Sequence, residues 1–267
     1  MRVSLSGRLA RSAVALLCGV SLSVFADGTP AKADHNGTPS DTVKVQGGMV
    51  GRMGAPAAVN PDKFKFSKAE TDLWLRNHLS NIKSPTRLYY EFKKTGSYEE
   101  GFTDSVYLDI VHVNADGTKD ADMQYLSGGR QEPYGPGNVT HITGNPVLMM
   151  YLDGDVRDMN RLTHGNWRYF QRRIKLAFAN SAKVEPTELK YNGKMVKGEK
   201  ITIEPYIHDP RAQQLAQFAL KRYVFILSDK VPGTIYQIKS IVPAKAGNAK
   251  QPLMEKTLTL ERVQIRG

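Results

Sequence analysis

Three basic residues with helical spacing form the group in this sequence that is most suited to binding an anion. Between Met159 and Val184 the chain has six basic residues and no acidic one. Of these, Arg168, Arg172 and Lys175 lie at positions i, i+4 and i+7, which places them on one face of a helix. Guanidinium and ammonium groups bind phosphates and carboxylates. The spacing predicts an anion-binding surface; the alternative is a solvated face whose acidic partners lie elsewhere in the fold.

A second group of residues is suited to an apolar ligand. Met149 and Met150 lie in an apolar run that is wider than one amphipathic face requires, and Trp167, Phe170 and Phe178 follow in the next helical segment. Methionine and aromatic side chains adapt to varied hydrophobic ligands. We predict that these five residues line or cover a cleft for an amphiphilic ligand. The three basic residues would hold the anionic headgroup of that ligand. The alternative is that the five residues fill the core between helices and sheet.

Residue types used in catalysis and metal binding are present but lack the usual spacing. The six histidines include no HxH or HExxH pair, and no serine lies in a GxSxG turn. Asp155 and Asp158 are expected to pair with Arg157, Arg161 or nearby helix ends. We therefore predict no catalytic residue, no metal and no cofactor. A site assembled in space is the alternative, and its candidate residues are His112, His141 and His208.

The first 26 residues have the features of a secretory signal peptide. Three arginines precede a stretch of apolar and small residues from Ser12 to Phe25, and no acidic residue occurs before position 27. We place cleavage after Ala26, which predicts export to a bacterial periplasm. Cleavage removes Cys18, the single cysteine, and lowers the net charge from +11 to +8, because 34 basic and 26 acidic residues remain.

The sequence after the signal peptide predicts a leader and one domain. Residues 27–62 are rich in small residues and proline and have too little apolar surface to fold, so we expect a flexible leader. The domain, 63–267, begins with a capping box at Ser67 and Glu70 and a helix that ends near Lys83. No later run approaches 18 apolar residues, so we expect no membrane-spanning helix after cleavage.

Periodicity predicts the remaining elements. Alternation of apolar and polar residues indicates strands, and apolar stripes at helical spacing indicate helices. In order, they are strands 88–95, 105–114, 121–127 and 139–143, helices 146–162 and 167–180, strands 187–191 and 200–206, a short helix 210–220, and strands 223–228, 234–242 and 255–265. This order predicts an α+β domain with an antiparallel sheet, an N-terminal helix and inserted helices.

Two short segments, together with this order of elements, resemble a known protein family. They are Thr143–Met150 (TGNPVLMM), which is similar to the entry into a helical lid, and Pro232–Ile238 (PGTIYQI), which is similar to a late hairpin. With the order of elements, they resemble the periplasmic lipoprotein and lipid carriers of the LolA/LolB type. In that family a curved antiparallel sheet forms an incomplete barrel, and helices close its mouth over acyl chains. The resemblance implies the same architecture here.

Three classes of function are compatible with the sequence. We expect an exported, non-enzymatic protein that binds a lipid or other amphiphilic envelope molecule in a cleft between sheet and helices. The first alternative is an accessory protein that docks an acidic envelope partner through its basic helix. The second is a hydrolase or metal enzyme with a site assembled in space. Nucleic acid is not an expected partner of an exported protein.

Overall fold

A curved, open sheet of nine antiparallel strands dominates the computed structural model, which describes residues 65–131, 137–244 and 251–266. The strands are β1 (Thr86–Thr95), β2 (Phe102–Val113), β3 (Lys119–Tyr125), β4 (Gly137–Ile142), β5 (Lys183–Tyr191), β6 (Lys194–Ile203), β7 (Arg222–Leu227), β8 (Ile235–Val242) and β9 (Met254–Ile265). Their order in the sheet is β4-β3-β2-β1-β9-β8-β7-β6-β5, so β4 and β5 form the edges. The predicted α+β class with a curved antiparallel sheet is confirmed.

One helix precedes the strands, and the others are inserted between strands at two places. The helices are α1 (Lys68–Glu70), which continues as a π-helix over Thr71–Leu75, then α2 (Pro146–Thr163), α3 (Trp167–Asn180) and α4 (Ala212–Leu215), which continues as a 3₁₀-helix over Ala216–Leu220. None of the helices in the described ranges is long and apolar enough to cross a lipid bilayer. The predicted signal peptide and leader lie outside the described residues.

Apolar side chains alternate along the strands and so give the sheet one core-facing side. In β9, Met254, Leu258 and Leu260 are buried, and in β7 the buried residues include Tyr223 and Phe225. The helices cover this side of the sheet, because α2 contacts β8 and α3 contacts β6. The core therefore lies between the sheet and the helices.

Asparagine caps set the start of both long helices. The Asn145 side chain accepts a hydrogen bond from the backbone N–H of Val147 (3.1 Å), and Pro146 follows at the first helical position. The Asn166 side chain accepts one from the N–H of Arg168 (2.8 Å). The predicted bounds of α2 and α3 are confirmed to within one residue.

The N-terminal helix is shorter than predicted. The capping box at Ser67 and Glu70 is present, but the helix ends at Leu75 instead of near Lys83. Tertiary contacts replace helical hydrogen bonds beyond this point, because the buried His78 ring hydrogen-bonds Thr234 and lies 3.1 Å from a backbone carbonyl. The backbone N–H of Leu79 donates to the carbonyl of Thr143 (3.1 Å).

Several further predicted bounds were wrong. Strand β5 begins at Lys183 and not at position 187, and β2 begins at Phe102 and not at position 105. Strand β6 begins at Lys194 and not at position 200, because Asn192 and Gly193 both adopt positive φ (47° and 77°) and return the chain directly into a hairpin. The single helix predicted over 210–220 is divided into α4 and a 3₁₀-helix. The division falls at Ala216, whose φ of 48° is left-handed.

Candidate functional site

Helix α3 turns its apolar face to the core and its basic face to solvent. Phe170, Ile174 and Phe178 are buried, and Phe178 makes ring contacts with Trp74 (centroids 5.6 Å apart) and Phe225 (5.4 Å). Residues at this spacing occupy one side of the helix. The same periodicity places the basic residues on the opposite side.

The three predicted anion-binding residues lie together on this exposed face. Arg168, Arg172 and Lys175 are exposed, and over residues 65–131, 137–244 and 251–266 none of them forms an ion pair with a carboxylate. The Arg168 guanidinium lies over the ring of Trp167, 5.2 Å from its centroid. Trp167 is itself 45% exposed, so an aromatic ring borders the basic face.

Other basic residues of the segment do have partners within the fold. Arg161, at the end of α2, donates two hydrogen bonds to Glu99 (2.6 and 2.9 Å). Arg173 lies on the other side of α3, where its Nε is 2.7 Å from the buried carboxylate of Asp209. Acidic partners elsewhere in the fold therefore account for these two arginines but not for Arg168, Arg172 and Lys175.

The five predicted apolar ligand residues are distributed between surface and core. Met149 is 51% exposed on α2 and Trp167 is exposed on α3, whereas Phe170 and Phe178 are fully buried and Met150 is nearly so. The first two are accessible from solvent. The other three are in contact with the core between helices and sheet, so the five residues do not line one open cleft in this conformation.

A cluster of buried charges, which was not predicted from the sequence, connects α2 to the sheet. Asp155 faces the sheet, and its carboxylate is surrounded by donors on three strands or their ends. Lys221 Nζ lies 2.5 Å from Oδ2 and Lys256 Nζ 3.0 Å from Oδ1, while Tyr223 (2.6 Å) and Ser240 (3.1 Å) donate hydroxyl hydrogen bonds. Lys256 also pairs with Asp158, so two cations face two carboxylates.

The electrostatics of this cluster favour charged carboxylates. Burial opposes ionisation of Asp155, but the ammonium groups of Lys221 and Lys256 outweigh it and hold the pKa of that carboxyl well below its usual range. Burial lowers the pKa of Lys221, whereas for Lys256 the two carboxylates outweigh burial and raise the pKa. Burial also raises the pKa of Tyr223, which therefore stays a hydroxyl donor. The cluster connects α2 to β8, β9 and the residues at the start of β7.

The predicted partners of the acidic residues on α2 are partly correct. Asp158 pairs with Arg161, as predicted. Asp155 does not pair with Arg157 or Arg161, because it is buried against the sheet, where it pairs with Lys221. Two features of the sequence are consistent with burial of these charges, although neither identifies the partner. Asp155 lies one turn from Tyr151 on the apolar stripe of α2, and Lys256 occupies a core-facing position between Met254 and Leu258.

The three candidate histidines for a spatial metal site are not gathered in one place. His112 is directly opposite Asp120, whose carboxylate accepts a hydrogen bond from the backbone N–H of His141 (2.9 Å). His141 lies 3.9 Å from Asp116 at the surface, and His208 borders a cavity on the other half of the sheet. Within the described ranges no group of three or more His, Cys, Asp or Glu side chains is arranged to hold a metal ion. The described residues thus offer no candidate metal centre.

Comparison with known proteins shows a weak likeness in fold. No protein-family model matches the sequence, and no curated protein matches it. Among solved structures, the chain is similar to the lipoprotein LppX of Mycobacterium tuberculosis, at 9% identity over 70% of this chain and 91% of that one, with a TM-score of 0.28. A LolA-superfamily protein from Nitrosomonas europaea is similar at 8% identity over 74% and 94%, with a TM-score of 0.20.

Proposed function

We propose that the chain is an exported, non-enzymatic protein that binds an anionic amphiphile of the cell envelope. The observation that carries the proposal is the exposed face of α3, where Arg168, Arg172 and Lys175 find no carboxylate partner among the described residues. Three adjacent cations raise the local concentration of anions and favour a phosphate or carboxylate headgroup.

The surroundings of these cations suit a molecule with an apolar part. Trp167 and Leu176 are both exposed on α3 beside the basic residues. Tryptophan and long basic side chains are typical of surfaces where an apolar phase meets water, because each combines an apolar body with a polar end. A lipid headgroup would contact the cations while the start of its acyl chain contacts Trp167 and Leu176.

The apolar part of the ligand would then reach the five residues predicted for it. Met149 and Trp167 are accessible at the surface, and Met150, Phe170 and Phe178 lie beneath them in the core. An acyl chain would reach these three only when α2 and α3 separate from the sheet. In this proposal the exposed face of α3 makes the first contact, and the core residues would cover the acyl chain afterwards.

Export is the other part of the proposal. Residues 1–26 would be removed as a signal peptide, and the leader of residues 27–62 would connect the N-terminus of the mature protein to the folded part. The apolar stretch from Ser12 to Phe25 and the arginines before it support this assignment. The expected location is the periplasm, where lipids with anionic headgroups are accessible.

Vesicle binding tests the proposed function. We expect the protein to cosediment with phosphatidylglycerol vesicles and not with phosphatidylcholine vesicles, and the triple variant Arg168→Gln/Arg172→Gln/Lys175→Gln to lose this binding. The matched control is Lys93→Gln/Lys190→Gln/Lys197→Gln, which removes the same charge from exposed positions on three strands. Equal binding by the triple variant and the wild-type protein would overturn the proposal, as would an equal loss in the control.

A further inference from the structure

A cavity of about 520 Å³ lies on the outer face of the sheet, beside the C-terminal end of α3. Its floor is formed by outward-facing residues of three adjacent strands: Lys200 and Thr202 of β6, Arg222 and Val224 of β7, and Ile241 of β8. Its walls are formed by Ser181 at the C-terminal end of α3, by Lys183 at the start of β5, and by Glu204, Ile207 and His208 after β6. Its volume is within the range of small-molecule sites.

Cross-strand register places the cavity residues side by side. Lys183 of β5 is directly opposite Thr202 of β6, and Thr202 is directly opposite Val224 of β7. Arg222 is opposite Ile241 on β8. Directly opposed residues on one face have Cβ atoms about 4.5–5.5 Å apart. A basic residue therefore lies on each side of a small central area of hydroxyl and apolar groups.

The cavity has an excess of positive charge. Lys183, Lys200 and Arg222 line it, against the single carboxylate of Glu204. Lys200 is held by Glu185, 2.8 Å away. In the part of the chain that the structure describes, Lys183 and Arg222 form no ion pair, so both are available to an anion.

The remaining lining determines what else the ligand must contain. The Thr202 hydroxyl can donate and accept hydrogen bonds, the Glu204 carboxylate can accept them, and the Ser181 oxygen can accept one while it donates to the carbonyl of Ala177 (3.3 Å). These groups suit hydroxyls close to the anionic group. Val224, Ile241 and Ile207 offer a small apolar surface to a carbon skeleton.

We propose that this cavity binds a phosphorylated polyol, either free or as the headgroup of a lipid. Arg222 and Lys183 bind the phosphate, and Thr202, Ser181 and Glu204 bind the hydroxyls. The site goes beyond the proposed function, because it lies on the outer face of the sheet and shares no residue with the basic face of α3. Either site can therefore exist without the other.

Calorimetric titration of the full chain with glycerol 3-phosphate and with inorganic phosphate tests this site. We expect glycerol 3-phosphate to bind more tightly than phosphate, because only it offers hydroxyls. The variant Lys183→Gln/Arg222→Gln should bind at least about tenfold more weakly, because it lacks both of the charged groups that bind the phosphate. The control Lys93→Gln/Lys190→Gln should bind as the wild-type protein does.

A vesicle-binding measurement distinguishes a free phosphorylated polyol from a lipid headgroup as the ligand of the cavity. If the ligand is a headgroup, the Lys183→Gln/Arg222→Gln variant also binds phosphatidylglycerol vesicles more weakly; if it is a free compound, vesicle binding is unchanged while glycerol 3-phosphate binding falls. The α3 triple variant should keep its affinity for glycerol 3-phosphate, which separates the two proposals. No binding of either soluble probe, or equal affinity in the cavity variant and the wild-type protein, overturns the proposal.

Discussion

Asp155 and Lys221 form an ion pair of 2.5 Å in which both side chains are only 1% exposed. The pair joins the middle of α2 to the residue that precedes β7, and Lys256 of β9 contacts the other oxygen of the same carboxylate. Charges removed from water in this way are stable only while their partners stay in place. The packing of α2 on the sheet therefore depends on polar as well as apolar contacts.

Replacement of Asp155 by Asn should destabilise the protein by about 3–5 kcal/mol, because Lys221 and Lys256 would lose the carboxylate between them. Urea unfolding followed by circular dichroism measures the change. The control is Asp153→Asn, on the same helix, whose pair with Arg157 is 40% exposed on the aspartate side. The control should change stability by less than about 1 kcal/mol. Equal effects of the two substitutions would refute a special role for burial.

Acid should destabilise the contact between Glu99 and Arg161. Hydrogen bonds from Arg161 and Lys94 lower the pKa of Glu99 from 4.5 to about 2. The folded state therefore binds fewer protons than the unfolded state between these values, so the contribution of Glu99 is present above about pH 4.5 and is lost as the pH falls toward about 2. Urea unfolding at a series of pH values should show that Glu99→Gln is less stable than wild type at neutral pH. The two should converge in acid; a constant difference would contradict the assignment.

Replacement of Asn145 by Ala should cost about 2–3 kcal/mol. An N-cap contributes about 1 kcal/mol, and Asn145 Nδ2 also donates buried hydrogen bonds to the hydroxyl of Tyr90 and the carbonyl of Gly233, both at 3.1 Å, each of which contributes about 1 kcal/mol. Thermal and urea unfolding measure the loss. Asn166→Ala, at the exposed cap of α3, is the control and should cost about 1 kcal/mol. Equal losses at Asn145 and Asn166 would show that the buried hydrogen bonds of Asn145 add nothing.

Glycine is required at position 96 for space as well as for backbone conformation. Its φ is +138°, and a Cβ there would lie 2.3 Å from the carbonyl oxygen of Leu253. Gly96→Ala should therefore destabilise the protein by about 2 kcal/mol or more, through strain of about 1–3 kcal/mol and the displacement of backbone. Gly117→Ala is the matched control, because φ is +85° but nothing lies within 4 Å. Urea unfolding should show a smaller loss of stability for Gly117→Ala than for Gly96→Ala. Similar losses would mean that the positive φ alone determines the cost of the substitution.

Local sequence signals were sufficient to predict most elements of the fold. The cap at Asn166 and the spacing of Phe170, Ile174 and Phe178 define α3, and alternation of apolar residues defines the strands. The end of the first helix was not predictable in this way, because the contacts of His78 that end it involve Thr234, 156 residues further along the chain.

The candidate sites differ in how far the sequence could predict them. The basic face of α3 follows from the spacing of Arg168, Arg172 and Lys175 within one helix. The buried cluster does not, since Asp155 and Lys256 are 101 residues apart and only the strand order brings them together. The outer cavity depends on strand register, because Lys183 and Arg222 come to line one cavity only through the strand between them, β6.

The position of β9 has a consequence for how the chain is made. This strand is the last in sequence and the fifth of nine in the sheet, where it pairs with β1 on one side and β8 on the other. Until residues 254–265 have been synthesised, β1 and β8 have no partner on these inner edges, and the two halves of the sheet cannot join. Folding that depends on such distant pairings is slow. The strands β1–β4 and β5–β8 can pair within each half of the sheet before β9 is present, but only β9 joins the two halves.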